Sequence, residues 1–390
     1  MERNVKIAYF LSFAFHSWFW MGNWIFYYLM FGDYSTVAMI DSVALIFGVI
    51  YEIPTGAFAD LVGKKKTLIL AFLFQTIGNV LMGFASSALM LAGSVWIFIC
   101  LAYAFYSGTM EAMLYDSLKE IGKEGDFDKK NGSLGAVRLL SMAVCGVIGG
   151  YAYTYMPSAP YLLAGIMSGL GFLASFWLVE PKVDTDKYSL RDFFVQNTKG
   201  LKILFSSNSF KNITWYLVVT GAMATFIYNL LDDLLAVEFG YSPTTISILF
   251  SVACLVSGIF TYLVPRLKTK IDTKWWLVVP MIVMAVAIML SPFISMFIFG
   301  ILMMIRVIGE AIYQNYTSVV VNGRVESSVR ATTLSSLALL RNIPYGLLGT
   351  FVGAAVIFSG GARNFSMYYG ITLLILTLWF GWKLRKINNV

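Results

Sequence analysis

Charge is what this sequence has least of. Only 13% of its 390 residues are Asp, Glu, Lys or Arg, where a soluble domain carries about a quarter. Histidine occurs once, at His16, and the three cysteines, Cys100, Cys145 and Cys254, lie in separate apolar runs. That distribution suggests neither a disulfide framework nor a thiolate metal site. No Gly-x-x-x-x-Gly-Lys-Ser/Thr loop is present to cradle a nucleotide phosphate, and no His-Glu-x-x-His is present to bind zinc. ATP-driven transport and metal-dependent catalysis are disfavoured accordingly, and no cofactor is expected. A receptor would be expected to carry a sensory domain or long tail, and the longest polar interval read here, 180–210, is short for that role.

What is there instead is apolar: 58% hydrophobic residues, 16% aromatic, and a mean hydropathy of +0.75. A bilayer core takes about 20 helical residues. On that ruler, spans are expected near 7–31, 36–59, 67–86, 88–115, 132–155, 158–179, 211–237, 243–264, 275–292, 293–321, 332–357 and 364–384. The run 7–31 is too long and aromatic for a cleaved signal peptide and reads as the first span. Ser291-Pro292 is the only break between the ninth and tenth runs, and proline disfavours helix in the residue before it. The net charge of +7 is carried by short loops, so it reads as a topology signal rather than a nucleic-acid surface. With both termini in the cytoplasm, all but four of the 28 basic residues fall on that side, the exceptions being Arg138, Arg306, Arg341 and Arg363.

The interval 180–210 divides the chain into six runs and six, predicting a bundle over 1–180, a linker over 181–210 and a bundle over 211–390. Leu190, Phe193, Phe194, Leu201 and Leu204 recur in the linker at helical spacing, which predicts an amphipathic interfacial helix or a plain tether. The halves repeat weakly. Arg138, Gly146 and Gly150 match Arg341, Gly349 and Gly353 at one offset (341 − 138 = 203). Gly108, Tyr115 and Ser117 match Gly309, Tyr316 and Ser318 at another (309 − 108 = 201).

Between the second and third runs stand Gly56, Asp60, Gly63, Lys64 and Lys65, spaced as Gly, three residues, Asp, two residues, Gly-Lys-Lys. This hairpin resembles the loop 2–3 signature of the major facilitator superfamily, and the chain is similar to that family's drug–proton antiporters over essentially its full length. Leu61 stands where the family often carries a basic residue. The resemblance implies an all-α membrane protein with twelve transmembrane helices in two pseudo-symmetric six-helix bundles, with substrate held near the midplane between the halves. It also implies that Asp60 and Lys64 latch those halves on the cytoplasmic side without touching substrate.

An ionisable group inside a span costs about 2.5–3.5 kcal/mol on insertion scales and marks a candidate site. Arg306 and Glu310 stand four apart in the tenth run, with Tyr313 and Thr317 following; Arg341 enters the eleventh from the same side. Glu310 should lie about 16 Å from the cytoplasmic end. An acid between two arginines either carries a proton or forms a static pair. Tyr103, Ser107, Glu111 and Tyr115 recur at fours in the fourth run, opposite Arg138, so Glu111 and Arg138 are either coupling groups or a buried structural pair. The family's exporters usually carry an arginine four residues before the glycine matching Gly108; Ala104 stands there, which weakens direct transfer of their coupling scheme. Glu52 belongs either to the latch or to the protonation sites. His16 shares a stripe with Ser12, Trp20, Asn23 and Tyr27, and reads as a hydrogen-bonded core histidine or a relay. Asp232, Asp233 and Glu238 are expected to face water or draw cations to an outer vestibule. His16, Trp20, Asn23, Tyr27, Tyr103, Ser107, Asn229 and Tyr313 are the expected substrate-cavity residues. With 19 methionines and the aromatics, an adaptable apolar chamber is expected, though lipid-facing helices use the same residues.

The sequence therefore predicts a secondary transporter in the cell membrane, acting as a monomer on a small organic solute. It is not expected to be an enzyme. The expected mode is alternating access with proton-driven export of amphipathic compounds. The alternatives are a proton symporter importing a nutrient and, from another class, a non-transporting receptor or intramembrane enzyme. Sodium could replace the proton.

Overall fold

Runs of 17 to 29 mostly apolar residues favour helix, because in hydrocarbon every backbone N–H and C=O must find its partner within the segment. A computed structural model of the chain describes residues 1–182, 198–263, 272–326 and 329–385 and has no strand among them. The described residues contain nine helices long and apolar enough to cross a membrane. Two further apolar helices, Ala159–Ser175 and Lys274–Met289, are shorter. The expected first span is broken into α1 (Glu2–Phe15) and α2 (Trp24–Tyr28), joined by turns. Ser291–Phe293 forms a single 3-10 turn separating the ninth run from the tenth, where Pro292 had pointed. Most of the expected linker helix lies outside the described residues; 198–204 is helical.

The chain forms two compact units. The first contains Met1–Asp33, Val43–Asp192 and Ser242–Leu255. Its long helices are the later part of α3 (Tyr34–Val62), α4 (Lys64–Gly83), α8 (Phe127–Tyr155) and α9 (Ala159–Ser175). The fourth run is built from α5 (Ala88–Gly93), a π-helical stretch Ser94–Ile99, α6 (Cys100–Tyr106) and α7 (Thr109–Glu120). Leu11, Phe15, Leu68, Ala71, Phe72, Met113 and Leu114 form its core. Glycines set the closest approaches: a Cβ at Gly149 would stand 1.7 Å from the Phe19 carbonyl oxygen. Gly149→Ala is therefore expected to destabilise the protein by about 1–3 kcal/mol or more, visible as a lowered unfolding temperature in detergent. A variant as stable as the parent would mean that the broken stretch beside Phe19 yields freely.

At the basic end of this unit, Gly63 adopts φ +100°, open to glycine at little cost. It starts α4 with no capping side chain of its own. The cap comes from elsewhere: Glu180 accepts from the Lys64 amide through Oε1 and from the Lys65 amide through Oε2, both at 2.7 Å. A carboxylate across a helix N-terminus satisfies orphan donors and opposes the helix dipole. Glu180→Ala is expected to lower stability by about 1–2 kcal/mol, read by thermal unfolding; an unchanged midpoint would show that water replaces the cap.

The second unit contains Tyr34–Ser42, Phe193–Tyr241 and Val256–Val390. Its seventh run is α10 (Asn208–Phe226), a π turn Ile227–Leu231 and α11 (Asp232–Glu238). The eighth, α12 (Pro243–Leu263), contributes its first half to the first unit and its second half to this one. Then follow α13 (Thr273–Met289), α14 (Met296–Asn322), α15 (Arg330–Phe358) and α16 (Ala362–Arg385). Asp272 caps α13 and pairs with Lys274 at 2.7 Å; the hydrogen bond from Lys274 holds its carboxyl below the usual range. Glu238 accepts from the Ala362 and Arg363 amides at the start of α16. The Arg363 guanidinium donates to Ser291, Pro292 and Ile294 carbonyls. So Glu238 is committed to a helix terminus and does not stand free in a vestibule.

The repeat read from glycine spacing has a packing cause. Within the first unit, a Cβ at Gly146 would lie 2.6 Å from Ser251 Oγ and one at Gly150 2.7 Å from Ser247 Cβ. Within the second, a Cβ at Gly349 would lie 2.4 Å from Ser42 Cβ and one at Gly353 2.4 Å from the Tyr34 carbonyl oxygen. The matched glycines of α8 and α15 thus each seat the first turns of another helix.

Candidate functional site

The second unit gathers the densest set of buried charge. On α14, Arg306, Glu310, Gln314 and Thr317 recur at helical spacing. The expected arrangement, Glu310 held between Arg306 and Arg341, is not what forms. Arg306, 1% exposed, turns to Asp232, with Nη2 2.5 Å from Oδ1, and lies 5.2 Å from the Phe299 ring. Helical side chains lean toward the N-terminus of their helix, so Arg306 reaches away from Glu310. Asp232, expected at the water, is 2% exposed and is Arg306's partner. The π turn before it supplies one extra residue, which re-aims the turn that follows.

Glu310 meets Arg341 through a relay. Gln314 Nε2 donates to Glu310 Oε1 at 2.5 Å, Arg341 Nη1 donates to Gln314 Oε1 at 2.7 Å, and Arg341 Nη2 stands 3.8 Å from Glu310 Oε1. Glu310 Oε2, Thr317 Oγ1 and Arg341 Nε are buried without a hydrogen-bond partner among the described residues. Gly221 makes room for this arginine: a Cβ there would come within 2.2 Å of its Nε. Tyr313 is fully buried beneath the guanidinium, its ring 5.5 Å from Arg341 Cζ, and its hydroxyl is shared with Thr220 at 2.9 Å and the Leu217 carbonyl. It supports Arg341 and does not line an open cavity. Asn229 is half-buried in the π turn. An acid, an amide and a guanidinium in relay can exchange a proton at the acid while the amide and guanidinium stay fixed.

The first unit arranges its candidates differently. His16 caps α1, donates from Nδ1 to the Ser12 carbonyl at 2.9 Å, and packs edge-on against Phe15 and Tyr106. That is a hydrogen-bonded core histidine. Because the helix breaks after Phe15, the expected stripe through Trp20, Asn23 and Tyr27 does not continue. Asn23 is buried, donating to the Phe19 carbonyl and Ser247; Tyr27 donates to the Met82 carbonyl. Trp20 is half-buried and stacks on Trp18 at 5.2 Å. Tyr103 is half-buried beside Phe15 at 5.1 Å.

The stripe of the fourth run is also cut, at Ser107 and at Gly108 with φ +72°. Ser107, Glu111 and Arg138 are exposed. No ion pair joins Glu111 to Arg138 among the described residues, so the buried structural pair is absent. Glu52 is exposed on α3. In the basic hairpin, Lys64 is buried and its Nζ lies 2.6 Å from Asp116 of the same unit. Lys65 is tied through its amide to Glu180. Gly56 lies in α3, and the Asp60 side chain lies outside the described residues, so the latch expected of it is not described. Sequence reasoning missed the roles of Asp232, Gln314, Asp116 and Glu180. Of these only Gln314 carried a local signal, four residues past Glu310 on one helical face.

A family model, the Major Facilitator Superfamily, matches residues 7–235. An uncharacterized MFS-type transporter, YxaM of Bacillus subtilis (strain 168), is 22% identical over 254 residues, covering 63% of this chain and 61% of that one. The class E tetracycline resistance protein of Escherichia coli is 26% identical over 142 residues, covering 36% of this chain and 33% of that one. The chain thus spans about three fifths and one third of the curated relatives it matches. Among solved structures, a point mutant of the nucleoside transporter NupG aligns with a TM-score of 0.81 at 14% identity over 98% of both chains. A D-xylose–proton symporter aligns at 0.73 and 13% identity, covering 99% of this chain and 97% of that one. Likeness at such identities speaks for the fold alone, and all four of these proteins differ in what they are named for. Matched by that family model over more than half its length and built of long apolar helices, this chain belongs to the Major Facilitator Superfamily and is a multi-pass membrane protein whose named relatives and structural neighbours are transporters, not enzymes.

Proposed function

We propose that the protein is a proton-coupled secondary transporter that exports amphipathic organic solutes by alternating access. Twelve spans would form two pseudo-symmetric six-helix bundles, residues 1–180 and 211–390, joined by the linker 181–210. Both termini would be cytoplasmic, and the protein would act as a monomer in the plasma or inner membrane. No cofactor is required; the proton gradient supplies the energy. The observation that carries this reading is the Glu310–Gln314–Arg341 relay, an acid deep in an apolar helix with one oxygen unpartnered. A proton on Glu310 removes the charge that faces Arg341, and its release restores that attraction.

Import by proton symport is the second reading, favoured by Glu111 and Arg138 on the first unit, both exposed and in no ion pair among the described residues, which would let them hold a polar solute. Energised everted vesicles separate the two. Substrate-driven loss of the interior acid gradient supports antiport. Solute-driven movement of protons in the same direction as the solute overturns it, and a requirement for sodium overturns proton coupling altogether.

A further inference from the structure

The relay at Glu310 leaves another intramembrane acid unexplained. Asp41 lies on α3, seven residues past its start at Tyr34, hence about 10 Å into the helix. It is half-buried, and its carboxylate accepts a hydrogen bond from the hydroxyl of Tyr345 on α15. Tyr345 is fully buried, its ring 4.7 Å from Phe226. Both residues belong to the second unit.

Among the described residues, the charged and titratable surroundings of Asp41 contain no cation partner. From α15 comes Tyr345; Arg341, one turn earlier on that helix, is engaged with Gln314 and Glu310. From α11 comes a like charge, Asp233, which acts on the Tyr345 phenol, as does Tyr369 of α16. On its own helix Asp41 is followed by Ser42, which donates to the Ala38 carbonyl. Glu238, which acts on Tyr34 at the start of α3, is taken up by the amides of α16. Among the described residues Asp41 forms no ion pair. An ionised carboxylate at this depth, with a second acid nearby and no cation beside it, is expensive.

Packing does not account for it. The matched glycines of α8 and α15 seat two corresponding stretches, and these differ in one respect. Against α8 the contacts are neutral: Thr244 donates to the Gly150 carbonyl, and Ser247 and Ser251 meet Gly150 and Gly146. Against α15 the glycine contacts with Ser42, Ser35 and Tyr34 recur, and a carboxylate is added, Asp41. The seam closes without an acid in one unit, so the acid in the other answers to something besides closure. Among the described residues no group of three or more His, Cys, Asp or Glu could hold a metal ion, and a lone carboxylate that accepts from a phenol is itself a group that can take up a proton.

We propose that Asp41 is a second proton-binding site of this chain, with Tyr345 as its positioning residue. The proposal rests on the proton-coupled reading above but concerns a different acid. When ionised, Asp41 takes a charge-assisted hydrogen bond from Tyr345 and ties Tyr34–Ser42 to α15; when protonated, it gives that bond up and leaves the stretch held by glycine packing.

The test is infrared difference spectroscopy on purified full-length protein in lipid nanodiscs, recording the protonated-carboxyl band as pH is lowered. A band that titrates should be absent from Asp41→Asn and present in Glu310→Gln. Tyr345→Phe should move its midpoint upward by about one to two pH units, the worth of one hydrogen bond to a charged acceptor. An Asp41→Asn spectrum that keeps every titrating band overturns the proposal, as does an unmoved midpoint in Tyr345→Phe. A midpoint that shifts when sodium replaces choline in the buffer also overturns it, because the ligand would then be a metal cation. Should Asp41→Asn fail to fold, the Tyr345→Phe midpoint decides alone. If Glu310→Gln instead drives uphill transport normally while the Asp41 band persists, the preceding reading of Glu310 fails and this one stands.

Discussion

Glu310→Gln is expected to abolish uphill transport while leaving expression, solute binding and downhill exchange largely intact. Glutamine keeps the size of the side chain and still offers an oxygen to the Gln314 amide, which donates at 2.5 Å in the parent. What it cannot do is gain or lose a proton. Arg341 keeps its 2.7 Å bond to Gln314 Oε1 and loses the anion 3.8 Å away. The group is only partly sealed, with 13% of its side chain accessible, so the loss of stability should stay within about 1–3 kcal/mol. Counterflow and gradient-driven transport in the same proteoliposomes make the comparison. Normal uphill rates would move the coupling proton elsewhere, with Asp41, Glu111 and Glu52 as the next acids to replace.

The largest effect on stability is expected at Asp232. Arg306 is 1% exposed and its recorded ion-pair partner is Asp232, while its Nε and Nη1 already lack hydrogen-bond partners among the described residues. Asp232→Ala would strand a buried guanidinium and should cost about 3–5 kcal/mol. Removing both charges, in Asp232→Ala with Arg306→Leu, should recover most of that loss, since a buried pair replaced by apolar groups is often neutral. Thermal unfolding in one detergent ranks the three proteins. A double variant no better than the single one would show that Arg306 is held by something other than Asp232.

The sequence-versus-structure contrast is sharpest where side chains have to choose partners. Apolar length and loop charge made the long helices readable, and Ser291-Pro292 marked a real break. The recurrence of Gly146, Gly150, Gly349 and Gly353 reflected close packing, because only glycine admits a helix so near. The pairing of Arg306 was not readable: helical spacing puts Glu310 four residues away, whereas the distant Asp232 arrives only after a π turn has shifted its register. Likewise the stripes drawn through His16 to Tyr27 and through Tyr103 to Tyr115 assumed unbroken helices. Both are interrupted, and periodicity has no term for a residue such as Gly108 at φ +72°.

Those two interruptions differ in who repairs them. At the first, neighbouring side chains supply what the ladder lost: Gln75 donates to the Phe15 carbonyl at 2.8 Å and Ser141 to the Phe13 carbonyl at 2.7 Å. At the second, Ser107 and Gly108 are exposed, and no side chain among the described residues caps the freed amides of Thr109 and Met110. Backbone groups left bare cannot face hydrocarbon. In a membrane the fourth run therefore needs a polar partner, and not lipid, beside the break at Ser107 and Gly108.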